Sequence, residues 1–150
     1  MTTKLALLTL TLLPLLCLEA TAADSVAVTI TSYDTMKYSL TKIQAKPGQT
    51  VVVELKNEGS LPKETMGHNW ILLKAGSDPL AYSKAAIKAR AQDYQPPSLA
   101  NEVLASIRLL GPKETGKTSF TAPSVPGNYP FLCSFPAHAQ SGMKGVLTVK

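Results

Sequence analysis

Histidine and cysteine are scarce in this chain of 150 residues, which contains two of each. Cys17 lies in an apolar stretch at the N-terminus, and Cys133 is the only thiol in the rest of the chain. One cysteine cannot form an internal disulfide, so the main part of the chain has to rely on its hydrophobic core. Structural zinc sites usually combine four nitrogen or sulfur ligands with several thiolates, and a single thiol disfavours such a site.

Charged and aromatic residues are also few, at 17% and 6% of the chain. The formal net charge is +5, and the basic side chains are spread along the whole sequence. Surfaces that bind nucleic acid need clustered basic side chains interleaved with aromatic ones. We therefore predict no nucleic-acid partner and interpret the basic residues as a solvated surface with a mild preference for acidic partners.

Long hydrophobic runs are absent except at the N-terminus, where residues 5–18 are almost entirely apolar. Lys4 precedes this run, and Ala20-Thr21-Ala22, a small-x-small cleavage pattern, follows it. The run is shorter than the ~20 residues that a bilayer requires. The pattern predicts a secretory signal peptide over residues 1–22, not a membrane span.

The part of the chain after the predicted leader, residues 23–150, is long enough for one domain with its own core. We predict that this domain is exported to the periplasm and has no stable membrane insertion. Lipidation of Cys17 is a weaker alternative, because Leu15 and Leu16 are bulky where a lipoprotein signal has a small residue. An exported lone thiol at Cys133 needs a reason to stay reduced, and a metal bond would supply one.

Alternation of apolar and polar residues predicts several short strands separated by Gly, Pro and Asn turns. The predicted strands are residues 26–31, 36–43, 50–56, 68–73, 106–110, 118–121, 127–133 and 144–149. Residues 79–91 are Ala-rich, with Asp78 as N-cap and Pro79 at the first helical position, and they predict one helix. The pattern indicates an all-β, Greek-key β-sandwich of seven or eight strands with one short helical insertion.

The most informative segment is Cys133-Ser-Phe-Pro-Ala-His138-Ala-Gln-Ser-Gly-Met143, which puts a thiol, an imidazole and a thioether in one loop. The other imidazole of the chain is His68, at the start of a predicted strand. Two His, one Cys and a Met are the ligand set of a mononuclear electron-transfer copper centre. Any one of these residues alone is better explained by packing, and a Cys133–His138 nucleophilic pair remains an alternative of low rank.

The chain resembles the cupredoxins and, among them, most closely the azurins, over nearly all of residues 24–150. The motifs that carry this resemblance are Leu61-Pro62-Lys63, Met66-Gly67-His68-Asn69-Trp70, Cys133-Ser-Phe-Pro-Ala-His138 and Met143-Lys144-Gly145. The resemblance implies that His68, Cys133 and His138 form a trigonal ligand plane. It also implies that Met143 is a weak axial ligand and that the Gly67 carbonyl approaches from the opposite side.

Three features depart from the azurin pattern. Four residues separate His138 from Met143, where azurins usually have three, and the longer turn could alter the axial distance. Ala137 stands where azurins commonly carry Gly, and the disulfide usual in azurins cannot form here. The resemblance to cupredoxins in general is therefore firmer than the resemblance to azurins.

Several neighbours of the ligands receive roles from the same reasoning. We expect the Asn69 side chain to hydrogen-bond the backbone next to Cys133, and the Phe135 amide to donate to the thiolate and raise the reduction potential. The resemblance also implies that one edge of the His138 ring lies at the surface. The apolar patch around it is predicted to contain Leu61, Pro62, Met66 and Ala137.

The sequence thus predicts a soluble, exported copper protein that shuttles single electrons and catalyses no reaction of its own. Its expected partners are redox proteins such as c-type cytochromes or a periplasmic reductase or oxidase. The alternative is a copper-binding module for metal delivery or storage, although such modules usually keep softer, more exposed Met-rich or Cys-rich sites. A multicopper enzyme would need further histidines, which the chain lacks.

Overall fold

The computed structural model describes residues 25–150, so the predicted signal peptide and Cys17 lie outside the described residues. Nine strands occur in this part of the chain: β1 (Ser25–Tyr33), β2 (Lys37–Tyr38), β3 (Lys42–Ala45), β4 (Thr50–Asn57), β5 (His68–Leu73), β6 (Val103–Leu110), β7 (Thr115–Thr121), β8 (Gly127–Leu132) and β9 (Lys144–Val149). The helices are α1 (Lys63–Met66) and α2 (Pro79–Ala86), followed by two 3-10 helices at Ile87–Gln92 and Pro97–Glu102.

The strands form two sheets that pack face to face. The four-stranded sheet has the order β2-β1-β4-β7, and the five-stranded sheet has the order β3-β9-β8-β5-β6. Neighbouring strands are antiparallel except β1 with β4 and β3 with β9, which are parallel. Trp70 is fully buried in the core, where its ring lies 5.5 Å from Phe131 and 6.2 Å from Phe120. The predicted β-sandwich with a helical insertion is confirmed.

The ninth strand arises because one predicted strand is two. Residues 36–43 were expected to form a single strand, but β2 pairs with β1 in the four-stranded sheet, whereas β3 pairs with β9 in the five-stranded sheet. The chain crosses between the sheets at residues 39–41. Apolar and polar residues alternate from Met36 to Thr41, and the period breaks only where the polar residues Thr41 and Lys42 adjoin. A single break of this kind does not by itself show that a strand ends.

Helix α2 begins as the sequence predicts, with Asp78 accepting a 2.8 Å hydrogen bond from the Leu80 amide and Pro79 in the first turn. It is shorter than the predicted helix of residues 79–91, because the coil tightens into a 3-10 helix from Ile87. Ala89 has non-helical torsions (φ −105°, ψ 36°) that interrupt the coil. Tightening of this kind is common at the ends of α-helices.

Strand β5 differs from the other strands because all six of its residues are buried. Side chains alternate between the two faces of a strand, so both faces of β5 must be covered. The four-stranded sheet covers one face, and α2 packs on the five-stranded sheet against β8, with Tyr82 and Ala86 in the buried core.

Among residues 25–150, none of the helices has the length and the apolar character that a membrane span requires.

Candidate metal centre

The predicted ligands meet at one end of the five-stranded sheet. His68 is the first residue of β5, and Cys133 directly follows β8. These strands are antiparallel neighbours with Ile71 opposite Leu132, so the start of β5 and the end of β8 lie side by side. His138 and Met143 belong to the loop that connects β8 to β9. Sheet topology therefore joins segments that are 65 residues apart in the chain.

The donor atoms of His68, Cys133 and His138 all lie within 4.8 Å of one another. Cys133 Sγ is 3.4 Å from His138 Nδ1, and the two imidazole rings are 4.9 Å apart between centroids. His68 and Cys133 are fully buried, and His138 is 2% exposed. In residues 25–150 no other group of His, Cys, Asp or Glu side chains has the spacing to hold a metal ion.

Both ring nitrogens of His68 are buried and have no hydrogen-bond partner, although the Tyr33 carbonyl lies near the ring. Buried polar atoms are normally paired, so an unpaired imidazole in a protein core calls for an explanation. A metal ion provides one, because an imidazole nitrogen is a metal donor. Two imidazoles and one thiol, with a methionine in the same loop, fit copper better than zinc, calcium or magnesium.

Burial sets the protonation of these side chains. Desolvation lowers the pKa of His68 to about 4. Desolvation, with repulsion from His68, lowers the pKa of His138 to about 3, so both rings are neutral near pH 7 and can act as donors. Burial raises the pKa of the Cys133 thiol to about 12, against the opposing effect of two backbone amides. The thiolate therefore needs a bound cation in order to form here.

The two amides that hydrogen-bond the Cys133 sulfur belong to Phe135 and Asn69. The Phe135 amide was expected from the sequence, but the Asn69 amide was not. The expected bond from the backbone beside Cys133 is also present, since the Ser134 amide donates to Asn69 Oδ1 at 2.8 Å. Asn69 thus acts at the site through its side chain and through its main chain.

Met143 is fully buried in the same loop. Its carbonyl accepts a 3.0 Å hydrogen bond from the Cys133 amide, and its own amide donates to the His138 carbonyl at 2.9 Å. These bonds close the loop into a compact turn that holds the thiol, the second imidazole and the thioether together. The four residues between His138 and Met143 fit inside this turn.

Gly67 precedes His68 and is also buried. Its amide donates to the Lys63 carbonyl at 2.9 Å, which ends α1 just before β5 begins. A Cβ atom at this position would lie 2.6 Å from the Lys63 carbonyl oxygen and 2.9 Å from Leu109 Cγ. Close packing of the backbone at the start of β5 therefore requires glycine.

Comparison with known proteins identifies the family. A family model described as copper binding proteins, plastocyanin/azurin family, matches residues 24–150. The chain belongs to the plastocyanin/azurin family. Azurin from Pseudomonas fluorescens biotype A is 36% identical over 126 residues, covering 82% of this chain and 97% of that protein. Auracyanin-B from Chloroflexus aurantiacus is 32% identical over 117 residues, covering 77% of this chain and 48% of that protein.

Solved structures of family members agree with the fold. Reduced auracyanin from Roseiflexus castenholzii superposes with a TM-score of 0.73 at 34% identity, covering 87% of this chain and 99% of that one. Auracyanin A from Chloroflexus aurantiacus, whose structure is described as that of a "blue" copper protein, also gives a TM-score of 0.73, at 30% identity. Copper is thus the metal of this plastocyanin/azurin family member.

The residues of the predicted apolar patch come from two segments of this plastocyanin/azurin domain. Leu61 is 41% exposed, Pro62 and Ala137 are exposed, and Met66 is half-buried. Lys63 in α1 and Phe135 line the same small cavity of about 150 Å³, so the two segments flank one end of the sandwich. His138 itself is only 2% exposed. At most a small part of its ring therefore reaches the surface, which is less exposure than the family resemblance implied.

The sequence analysis missed the role of Asp34 at this patch, and it noted Ala137 without its backbone conformation. Asp34, in the turn after β1, accepts hydrogen bonds at 2.9 Å from the Ser60 amide and hydroxyl and at 3.5 Å from the Leu61 amide. These bonds lower the pKa of the Asp34 carboxyl and hold the segment that presents Leu61. Ala137 has φ 69°, a left-handed conformation that glycine adopts without strain.

Proposed function

We infer that this protein is a blue copper protein that carries single electrons between redox partners. The observation that carries the inference is the buried convergence of two neutral imidazoles and one thiol within 4.8 Å, in a chain of the plastocyanin/azurin family. His68, Cys133 and His138 would hold the copper as its strong donors. Met143 would add a weak thioether donor, and the Gly67 carbonyl would be a further weak ligand.

Bound copper supplies the redox chemistry, because it cycles between Cu(II) and Cu(I) and so takes up or releases one electron. The protein's part is to keep the ligands still. His68 is anchored in a central strand that is buried on both faces, and the loop of the other ligands is closed by backbone hydrogen bonds between Cys133, Met143 and His138. Ligands that barely move during electron transfer keep its reorganisation energy low.

The surroundings of the thiol tune the site. The amides of Asn69 and Phe135 donate to the Cys133 sulfur and so withdraw electron density from it. Hydrogen bonds to the sulfur and an apolar environment both affect the reduction potential of such centres. Burial of all three equatorial side chains also keeps water away from the donor atoms.

Electron carriage is favoured over the two other functions that the donor set allows. A site for copper delivery or storage has to release its metal, whereas these donors are buried and braced by hydrogen bonds. Catalysis needs an open coordination position, and the chain has no further histidine to build a second copper site. The protein therefore acts without a substrate of its own.

Electrons enter and leave through the end of the domain where Phe135 packs 4.7 Å from the His138 ring. The exposed apolar residues there suit brief contact with partners such as c-type cytochromes or a periplasmic reductase or oxidase. The formal charge of +5 adds a mild attraction to acidic partners, which salt weakens.

Export to the periplasm is part of this proposal and rests on the sequence of residues 1–22. Mass spectrometry of the protein isolated from its native host should show an N-terminus at Ala23. An intact Met1 or a lipid on Cys17 would contradict export as a processed, unanchored domain.

The proposed function is tested by adding copper to the purified domain of residues 23–150. One equivalent of Cu(II) should give an intense visible absorption from thiolate-to-copper charge transfer. One equivalent of reductant should bleach it, and an oxidant should restore it. A protein that binds one copper tightly without colour, or that cannot be reduced and reoxidised, would instead be a delivery or storage module.

A further inference from the structure

The helical insertion, residues 78–102 between β5 and β6, contains a sharp corner formed by Asp93 and Tyr94. Both residues are left-handed, with φ 53° and 60°. Asp tolerates this conformation better than most residues, whereas for a bulky side chain such as Tyr it is a clear outlier. Tyr94 is only 6% exposed, and its amide donates to the Ala89 carbonyl at 2.9 Å. Such strain persists only where surrounding contacts hold it.

The contacts that hold the corner lead directly to the metal centre. The Asp93 carbonyl accepts a 2.8 Å hydrogen bond from Asn69 Nδ2, and the Tyr94 carbonyl accepts a 2.6 Å bond from the Ser134 hydroxyl. Asn69 follows His68 in the chain, and Ser134 follows Cys133. The corner thus touches the residue next to each of two predicted ligands.

The network is closed and fully paired. Asn69 Nδ2 has two hydrogens, and it uses them on the Asp93 carbonyl and on Ser134 Oγ at 2.8 Å. Asn69 Oδ1 accepts from the Ser134 amide, also at 2.8 Å. Asn69 and Ser134 are completely buried, where hydrogen-bond networks that leave no group unpaired specify one geometry.

Two further contacts extend from the corner to the other side of the site. The Asp93 carboxylate accepts from the Leu109 amide at 3.3 Å, and Leu109 packs against Gly67. The Tyr94 ring lies 5.0 Å from Phe135, whose ring in turn lies 4.7 Å from His138. This one turn is therefore linked to the segments that carry His68, Cys133 and His138.

We propose that the Asp93–Tyr94 corner is a strap that positions the thiol loop against β5, with Asp93 as a positioning residue for the copper site. The Asp93 carboxylate fixes the corner to β6, and the two corner carbonyls then fix Asn69 and Ser134. The amides of Asn69 and Phe135 stay aimed at the sulfur as a result. This inference rests on the proposed function, since it concerns the geometry of the same metal centre.

The test compares three variants with the parent protein. Asp93→Ala removes the carboxylate bond to Leu109 and makes the left-handed corner less favourable. Asp93→Asn keeps an acceptor oxygen and a side chain that tolerates positive φ. Ile30→Val loosens the buried core at the four-stranded sheet, whereas the corner is bonded to the five-stranded sheet. This variant therefore shows the effect of a general loss of stability. If Asp93→Ala does not fold, Asp93→Gly removes the carboxylate without the strain.

Three properties are measured in each variant. Two belong to the copper-loaded protein and are its visible spectrum and its rate of copper loss to a chelator. The third is amide hydrogen exchange at Ser134 in the copper-free protein. Asp93→Ala should shift the spectrum, lose copper at least about tenfold faster and expose the Ser134 amide to faster exchange. Asp93→Asn should behave like the parent, and Ile30→Val should leave the spectrum and the Ser134 amide unchanged.

If the spectrum, the rate of copper loss and the Ser134 exchange rate are unchanged in Asp93→Ala, the proposal is wrong. It is also wrong if Ile30→Val changes them equally, and the corner is then only a structural turn. If the parent protein itself shows no blue absorption, the proposed function fails instead. In that case the Ser134 exchange rates in the copper-free proteins still decide whether the corner holds the thiol loop.

Discussion

The two sheets of the sandwich have different roles. Strands β4 and β7 of the four-stranded sheet alternate strictly between more and less buried positions, and no strand of this sheet carries a predicted ligand. The five-stranded sheet holds β5, which is buried throughout, and the two strands whose connecting loop contains the other ligands. One sheet thus supplies a core surface, and the other supplies a rigid frame for the metal.

This division predicts that the thiol can be lost without losing the fold. Cys133→Ser should abolish the visible absorption completely, because charge transfer to copper requires the thiolate. The variant should still unfold cooperatively, since the core between the sheets does not depend on the metal. Absorption and circular dichroism measure the two properties, and an unchanged visible spectrum would remove Cys133 from the site.

Leucines at matched positions in the two sheets sharpen the comparison. Leu55 in β4 and Leu132 in β8 are both fully buried, and Leu132 directly precedes Cys133. Each change to Ala should lower the free energy of unfolding by about 2–5 kcal/mol. Only Leu132→Ala should also move the visible band, because only its cavity adjoins the thiol loop. A shift of the same size in Leu55→Ala would show that the sheets are not independent.

Acid should weaken the copper-free protein through its two histidines. Burial lowers the pKa of His68 to about 4 and of His138 to about 3, below the ~6.5 of an unfolded chain. The unfolded state therefore binds more protons between these values, and stability is lost as the pH falls from about 6.5 toward 4. We expect a loss of about 2 kcal/mol from each histidine, and so about 4 kcal/mol in total, between pH 7 and pH 5.

The copper-loaded protein is the control for this experiment, because coordinated nitrogens resist protonation and its stability should change less over the same range. The pKa of the Asp34 carboxyl is already lowered, so that group titrates below the range tested. Denaturant unfolding at the two pH values measures both forms. Equal losses with and without copper would mean that other groups are responsible.

The sequence was most informative where chemistry is carried by rare residues. Two histidines and one thiol outside the predicted leader could be assigned to one site because that part of the chain offers no others. It missed three groups that act through their backbone, which are the Asn69 amide on the sulfur and the carbonyls of Asp93 and Tyr94. Backbone contacts depend on where a turn lies in three dimensions, and side-chain patterns do not encode that position.

Substitution of Met143, the predicted weak ligand, should change the reduction potential of the copper without abolishing the site. Met143→Gln offers a harder oxygen donor and should lower the reduction potential, whereas Met143→Leu removes the donor and should raise it. A tenfold change in relative affinity for Cu(II) and Cu(I) moves a one-electron potential by about 59 mV, and we expect shifts of about this size. Voltammetry that gives the parent potential for both variants would exclude Met143 as a ligand.

The smallest expected effect concerns the surface at the metal end. Leu61 is 41% exposed beside α1, and a partner that approaches the His138 end should have to cover it. Leu61→Asp places in this contact a carboxylate that must be desolvated, so we expect electron self-exchange and exchange with partners to slow about three- to tenfold. Ala137→Asp, at an exposed left-handed position of the ligand loop, should act in the same direction.

Leu80 provides a matched control, because it is also 41% exposed but lies in the first turn of α2. Leu80→Asp adds the same charge to an equally exposed leucine outside the predicted patch, so stopped-flow rates should stay near the parent value. The visible spectrum and potential should be nearly unchanged in all three variants, since none of these residues is a predicted ligand. Equal slowing by Leu61→Asp and Leu80→Asp would show that net charge, and not a defined apolar port beside His138, controls the encounter.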